Sequence, residues 1–260
     1  DIEIEQPWAR MFETHVQLVL SHPTKVAIDI GGTFIKGGRV KDGKILQFAK
    51  APTHGDVGRE AILASLFSVI DELMNDDVTG IGISTAGDIN AITGTCTYAS
   101  DNLKGWTGLN IKETLEEKYH CLTYVDNDAY CHLNAEKRLQ KPLKNITLLT
   151  FGTGVGGTSL LDGQLNRTTA TKWGYRVIVP EGRYLAGANA YGVAEAYLSA
   201  RNLVEALKTY KESWSIEDLF KAFVEGDALA KTILQPFGDH LNLLLKLIQT
   251  EIHPDIILLG

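Results

Sequence analysis

The sequence predicts an α/β protein built from two related lobes, and two observations carry that reading. The order strand, glycine corner, strand, Asp-Gly turn, strand occurs twice, around Gly31-Gly32 and again around residues 152–157. Between and after the copies, short apolar runs rich in β-branched residues alternate with segments of helical period. In a chain of 260 residues, an internal duplication of this kind outweighs any single local signal.

In the first copy, Val26-Ala27-Ile28-Asp29-Ile30 reads as a buried strand, with Asp29 near its end. Gly31, Gly32 and Thr33 follow. An extended pattern then resumes through Gly38-Arg39-Val40 and turns at Asp42-Gly43, a hairpin signal. A corner without side chains exposes backbone N–H groups, which can accept phosphate oxygens. The Thr33 hydroxyl and Lys36 ammonium follow within reach of the same anion. Asp29 is a candidate for Mg2+, held through water because this small cation keeps much of its hydration shell. Taken alone, the stretch is equally an ordinary hairpin with a glycine-rich bulge.

The second copy strengthens the case. Residues 146–151 are strand-like, Gly152-Thr153-Gly154-Val155-Gly156-Gly157 follows, and Asp162-Gly163 closes the next extended run. Two lobes with one phosphate-gripping hairpin each suggest a nucleotide in the cleft between them. Gly152, Gly154 and Gly157 also fit the dinucleotide fingerprint, but that motif requires a helix after the loop. A hairpin follows here, so a Rossmann site is rejected.

Composition excludes other classes. Hydrophobic content of 44% and charged content of 22% fit a soluble globular chain. A net charge of -7 leaves no broad basic footprint for nucleic acid. No apolar run is long enough to cross a bilayer, and the acidic N-terminus lacks the basic region of a signal peptide. Cys96, Cys121 and Cys131 form no C-x-x-C pair and read as free thiols, with the cytoplasm as the default compartment.

Residues 1–24 stand outside the duplicated pattern as an N-terminal extension, with a short helix expected over 7–20. The N-terminal lobe is expected over 25–126 and the C-terminal lobe over 127–260. Residues 60–73 carry apolar positions at helical spacing, and residues 78–84 read as a buried strand. That strand exits through Thr85-Ala86-Gly87-Asp88, where Gly87 is either a plain turn or a place for close approach to a ligand. Residues 89–110 form an irregular excursion containing Ser100 and Asn102, and long irregular loops are often functional. A short helix over 111–119 and a strand over 121–125 come next. Asp126-Asn127-Asp128 then opens a helix over 129–139. Acids at this place either cap the helix or present a carboxylate to a ligand, and both roles are expected of this triplet.

Five motifs together resemble the ROK family of sugar kinases. They are Asp29-Ile30-Gly31-Gly32-Thr33, Gly82-Ile83-Ser84-Thr85-Ala86-Gly87, Asn102-Leu103-Lys104-Gly105-Trp106, Val125-Asp126-Asn127-Asp128-Ala129 and the loop at 152–157. The resemblance covers residue 25 to the end. It implies the duplicated actin–hexokinase (ribonuclease H-like) fold with an ATP cleft between lobes. It also implies phosphate transfer from Mg-ATP to a hexose or amino-sugar hydroxyl, commonly at C6. Asp128 is then the general base, and Asn127 holds a sugar hydroxyl beside it. Gly87, Ser100 and Asn102 match positions lining the sugar pocket. The loops around Gly31 and Gly152, including Thr153 and Gly154, hold ATP phosphates. Homodimers are common in the family, though nothing in these residues demands one.

The match weakens in one place. The family carries a Gly-Glu-Ile-Gly-His stretch followed by a cysteine cluster. The His and three Cys bind a structural zinc, and the Glu and His also contact sugar. Here Lys172 stands for the Glu and Tyr175 for the His, and residues 184–195 contain no cysteine, so no zinc site is expected. Glu195 remains as a candidate sugar ligand, with a helix first-turn role as the competing reading. Lys172 in place of a carboxylate suggests an acceptor other than glucose, or one bearing an anionic group. His22, His54, His120, His132, His240 and His253 show no ligand spacing. Helices are expected over 191–208, 215–224 and 227–250, with a last strand at 255–260. There the family continues with further glycines and a closing helix, a part absent from this sequence. A catalytically weak sugar sensor is the competing function, since the family includes repressors. An acetate-kinase-like or phosphatase-like enzyme of the same superfamily is a third.

Overall fold

The computed structural model describes residues 23–139, 142–152, 154–167 and 172–260. The helix expected over 7–20 lies outside the described residues. The chain forms two compact units, Asp1–Leu139 and Gln140–Gly260.

The first unit runs β1 (Thr24–Ile30), β2 (Phe34–Lys41), β3 (Lys44–Pro52), α1 (Arg59–Leu73), β4 (Val78–Thr85), β5 (Asp88–Asn90), β6 (Thr95–Tyr98), α2 (Ile111–Tyr119), β7 (Leu122–Asn127) and α3 (Asp128–Leu139). Its main sheet has the order β3-β2-β1-β4-β7. β1 pairs antiparallel with β2 and parallel with β4, and β4 is parallel to β7. Alternation along β1 sorts its side chains to two faces. Val26, Ile28 and Ile30 bury against Ile62, Leu66, Val69, Ile70 and Leu73 of α1. Ala27 and Val40 bury instead against Cys131 and Ala135 of α3. That second contact ties α3 to the first unit. The first compact unit accordingly extends through α3 to Leu139.

The second unit runs β8 (Ile146–Phe151), β9 (Val155–Leu161), β10 (Gln164–Asn166), β11 (Tyr184–Leu185), β12 (Ala190–Tyr191), α4 (Glu195–Leu198), α5 (Ala200–Tyr210), α6 (Ile216–Val224), α7 (Ala228–Ile252) and β13 (Ile256–Leu259). Its sheet order is β10-β9-β8-β13. β8 is antiparallel to β9 and parallel to β13, which repeats the β3-β2-β1-β4 arrangement. Both Asp-Gly turns adopt the same conformation, with positive φ at Asp42 and Gly43 (51° and 74°) and at Asp162 and Gly163 (50° and 77°). A type I′ hairpin turn demands this pair of signs, so the duplication extends to the turns.

The helix expected over 191–208 is broken. Tyr191 belongs to β12, and Ser199 is extended (φ −70°, ψ 149°) between α4 and α5. The break lets the Ala200 N–H donate to Gly152 O at 2.8 Å, a tertiary bond that local helical preference does not foresee. α6 starts with a capping box between Ser215 and Asp218. Among the described residues no helix is long and apolar enough to cross a membrane.

Candidate active site

Three parallel strands end together in the first unit and place its polar residues in rows. Asp29 of β1 is level with Ser84 of β4, which is level with Asp126 of β7; one step on, Ile30, Thr85 and Asn127 align. Carboxyl ends of parallel strands are where α/β sheets bind ligands. The Ser84 hydroxyl donates to Asp29 Oδ1 at 3.1 Å. Lys36 is the cross-strand partner of Asp29 on β2.

The glycine corner after β1 is held from behind. Gly31 N–H donates to Phe34 O at 3.1 Å, and Thr53 N–H donates to Thr33 O at 3.0 Å. The fully buried Thr53 hydroxyl donates to Gly31 O at 2.6 Å. Gly32 and Thr33 stay exposed. Asn102 lies against this corner: a Cβ on Gly32 would touch its Cβ at 3.6 Å, and one on Gly55 would fall 1.9 Å from its carbonyl oxygen. Ser100 and Asn102 are both exposed around the short 3-10 turn Asp101–Leu103.

Within the triplet, Asn127 takes the capping role. Asn127 Oδ1 accepts the N–H groups of Ala129 (2.9 Å) and Tyr130 (3.3 Å), capping α3. Its Nδ2 donates to Gly87 O at 2.8 Å, which leaves one amide hydrogen for a ligand. Gly87 has φ +108°, and a Cβ there would meet Tyr98 O at 2.6 Å, so the turn requires glycine. Asp128 Oδ1 accepts the Ala129 N–H at 2.8 Å. Burial pushes its carboxyl up to about 6, and the negative charge of Asp29 adds to this. The Ala129 N–H, the charge of His132 one turn along α3 and Asn127 pull the other way. A carboxylate tuned to this range suits proton acceptance near neutral pH.

The sequence reading missed Thr53 and gave no separate role to Trp106 or Ser84. Trp106, fully buried, donates from Nε1 to Thr85 Oγ1 at 3.2 Å, two residues before Gly87. Thr53, Ser84 and Asp126 are buried polar groups at the strand ends. Their available signal was a polar residue interrupting an apolar run at the point where that run stops.

The second unit carries its own corner. Gly152 N–H donates to Gly154 O at 2.9 Å, and Thr153 lies outside the described residues. Glu195 comes to this corner: its Oε2 accepts the Val155 N–H at 2.8 Å. Lys172 precedes the 3-10 turn Trp173–Tyr175, and Tyr175 is 47% exposed. A Cβ on Gly174 would lie 1.9 Å from Val155 O, so this turn presses directly on β9.

The described residues of the following loop are held by packing and hydrogen bonds. Among the described residues no group of three or more His, Cys, Asp or Glu side chains could hold a metal ion. β11 and β12 pair instead through Tyr184 and Tyr191, whose ring centroids lie 4.9 Å apart. The Tyr184 hydroxyl donates to Asn189 Oδ1 at 2.7 Å, and the Arg183 N–H donates to the Tyr197 hydroxyl at 2.6 Å. Val193 and Ala194 are buried in the cluster around Trp173. The sequence expectation of no zinc site predicts that a zinc chelator leaves the thermal midpoint unchanged. A midpoint lowered by chelation and restored by zinc would contradict this.

Comparisons with known proteins bear on the family and the fold. The ROK family profile matches residues 25–260. A β-glucoside kinase of Listeria monocytogenes is 32% identical over 218 residues, covering 81% of this chain and 73% of its own. The structure of a putative N-acetylmannosamine kinase from Listeria monocytogenes is 28% identical at a TM-score of 0.75, covering 91% of this chain and 82% of that one. A ROK glucokinase from Streptomyces griseus, solved with glucose and AMPPNP, has a TM-score of 0.74 at 23% identity, with coverages of 91% and 82%. The fold is the actin/hexokinase-like one of these kinases. With the profile spanning all but the first 24 residues, the chain belongs to the ROK family.

Proposed function

We propose that this protein is an ATP-dependent sugar kinase that phosphorylates a hexose or N-acetyl amino-sugar hydroxyl, at C6, with Asp128 as general base. The observation that carries the reading is the Asp128 carboxyl. It is partly buried, raised to about 6, and set at the carboxyl edge of the sheet among Asp29, Gly87 and Asn127. Kinases for sugars among the relatives support the same reaction class.

Asp128 accepts the proton of the attacking hydroxyl as the phosphoryl group transfers. The free Nδ2 hydrogen of Asn127 and the exposed side chains of Ser100 and Asn102 orient the other hydroxyls, with Gly87 giving close approach. Gly31, Gly32 and Thr33, with Lys36, grip donor phosphates on one unit; Gly152, Thr153 and Gly154 do so on the other. Asp29 would hold Mg2+, and the ion would supply neutralisation of the phosphate charge. The substrate is a small sugar handled in the cytoplasm, without nucleic acid or membrane.

The test is sugar-dependent ADP release from Mg-ATP across glucose, fructose, mannose, N-acetylated amino sugars and β-glucosides. Turnover with one of these is expected, and its kcat/KM should rise with pH through about 6 as Asp128 loses its proton. Sugar binding without turnover across the panel would sink the kinase reading in favour of a sensor.

A further inference from the structure

A hydroxyl sits inside the apolar strand β4, and the acid beside it gives the reason. β4 buries Ile81 and Ile83, and Ser84 in the same run is 1% exposed. Packing asks only for a small side chain there, and a buried hydroxyl is destabilising unless it is bonded. Ser84 stands between two acids, level with Asp29 on β1 and with Asp126 on β7. Its one hydrogen can serve one of them. It goes to Asp29 Oδ1 at 3.1 Å, while Asp126 Oδ1 accepts the Asn127 N–H at 2.9 Å. Asp29 itself is half-buried, two residues before Gly31. Alternation sends the next residue, Thr85, to the other face, where its hydroxyl accepts from Trp106 Nε1. Adjacent residues of β4 thus hold two different parts of the site.

We propose that Ser84 is a positioning residue for Asp29: its hydroxyl fixes one carboxylate oxygen and leaves the other set for the water that carries the nucleotide's divalent cation. The proposal rests on the nucleotide reading given above, with Asp29 as the group that holds Mg2+. A carboxylate turns freely about its side-chain bonds unless a partner stops it, and an ion held through water then meets many orientations of the acid. A bond from the neighbouring strand selects one orientation before the ion arrives. Hydrogen bonds to metal-holding carboxylates orient them, and removing such a bond lowers metal affinity roughly 10–100-fold. A link through water is longer and looser than direct ligation, which places Ser84 at the lower end of that range. The role is specific to the cation: without Mg2+, the Ser84 hydroxyl adds nothing to nucleotide binding.

The measurement is calorimetric titration of ADP into the wild-type chain, Ser84→Ala and Asp29→Asn, each with Mg2+ and with EDTA. The readout is the ratio of the two Kd values, the factor by which Mg2+ tightens ADP binding. In Ser84→Ala that factor is expected to fall by about tenfold, with the Kd in EDTA unchanged. A merely structural role predicts equal weakening under both conditions, and that result overturns the proposal. Should Ser84→Ala fail to fold, Ser84→Cys takes its place, since it nearly keeps the volume and supplies only a weak donor. The Asp29→Asn arm separates this proposal from the reading beneath it. A factor lowered by Asp29→Asn but untouched at Ser84 overturns this proposal only. A factor left intact by Asp29→Asn, or a wild-type chain that binds ADP no better with Mg2+, overturns the reading of Asp29 and this proposal together.

Discussion

Asp128→Asn is expected to lower sugar-dependent turnover by about 10³-fold while making the protein more stable at neutral pH. Loss of a general base removes roughly 10²–10⁴ of rate, and an amide cannot take the hydroxyl's proton. The stability gain follows from the raised carboxyl, which moves from 3.8 to about 6 on folding. The protonated form fits the folded site better than the charged form. Its contribution is therefore complete below the ordinary carboxylate range and is lost as pH rises through about 6. Asparagine resembles the protonated form and keeps an oxygen for the Ala129 N–H. At pH 7 to 8 the gain is at most roughly 3 kcal/mol, from about 1.4 kcal/mol per pH unit. It should shrink as pH falls from 6 and vanish below about 4. Paired melting curves at pH 8 and pH 4, run with the ADP-release assay, check this. A variant both inactive and less stable at pH 8 would mark Asp128 as a structural group, and one with turnover intact would remove it as the base.

Trp106→Ala is expected to cost about 3–5 kcal/mol of stability, the usual range for emptying a buried Trp site. The ring is fully buried among Leu103, Leu109 and Ile111 in the core of the first unit. Trp106→Phe fills most of that volume but removes the donor to Thr85 Oγ1, a loss of about 1 kcal/mol. The Phe variant is the informative one for function. Thr85 ends β4 two residues before Gly87, whose carbonyl receives the Asn127 amide. Loosening that turn should raise the sugar KM several-fold more than it lowers kcat, because it moves sugar-orienting groups and leaves the Asp128 carboxyl in place. Denaturant midpoints and steady-state kinetics on the two variants test this. A Phe variant with unchanged sugar KM would confine Trp106 to packing.

The corners and the turns were legible because they depend on bonds close in sequence. Asp42-Gly43 and Asp162-Gly163 specify their hairpins through local φ preferences, and the apolar runs at β1, β4 and β8 specify buried strands by period. The same local logic failed at Ser199, where a bond from Ala200 N–H to Gly152 O, nearly fifty residues away in sequence, overrides a helical pattern. Nothing local to α3 shows that Cys131 and Ala135 will bury against Ala27, about a hundred residues earlier.

The candidate site divides along the same line. Residue types and their order marked Asp29, Gly31 and Gly32 as candidates, since a phosphate corner needs bare backbone, and the family resemblance added Asn102, Asn127 and Asp128. Their working states came from the tertiary structure. Asn127 caps α3 and clasps Gly87, Thr53 braces Gly31 from behind, and burial beside Asp29 lifts Asp128 to about 6. Glu195 is the sharpest case. By sequence it was a sugar ligand or a first-turn acid, and only folding set its carboxylate on the Val155 N–H. Hydrogen-bond partners and solvent exclusion depend on distances between segments far apart in the chain, so no local pattern encodes them.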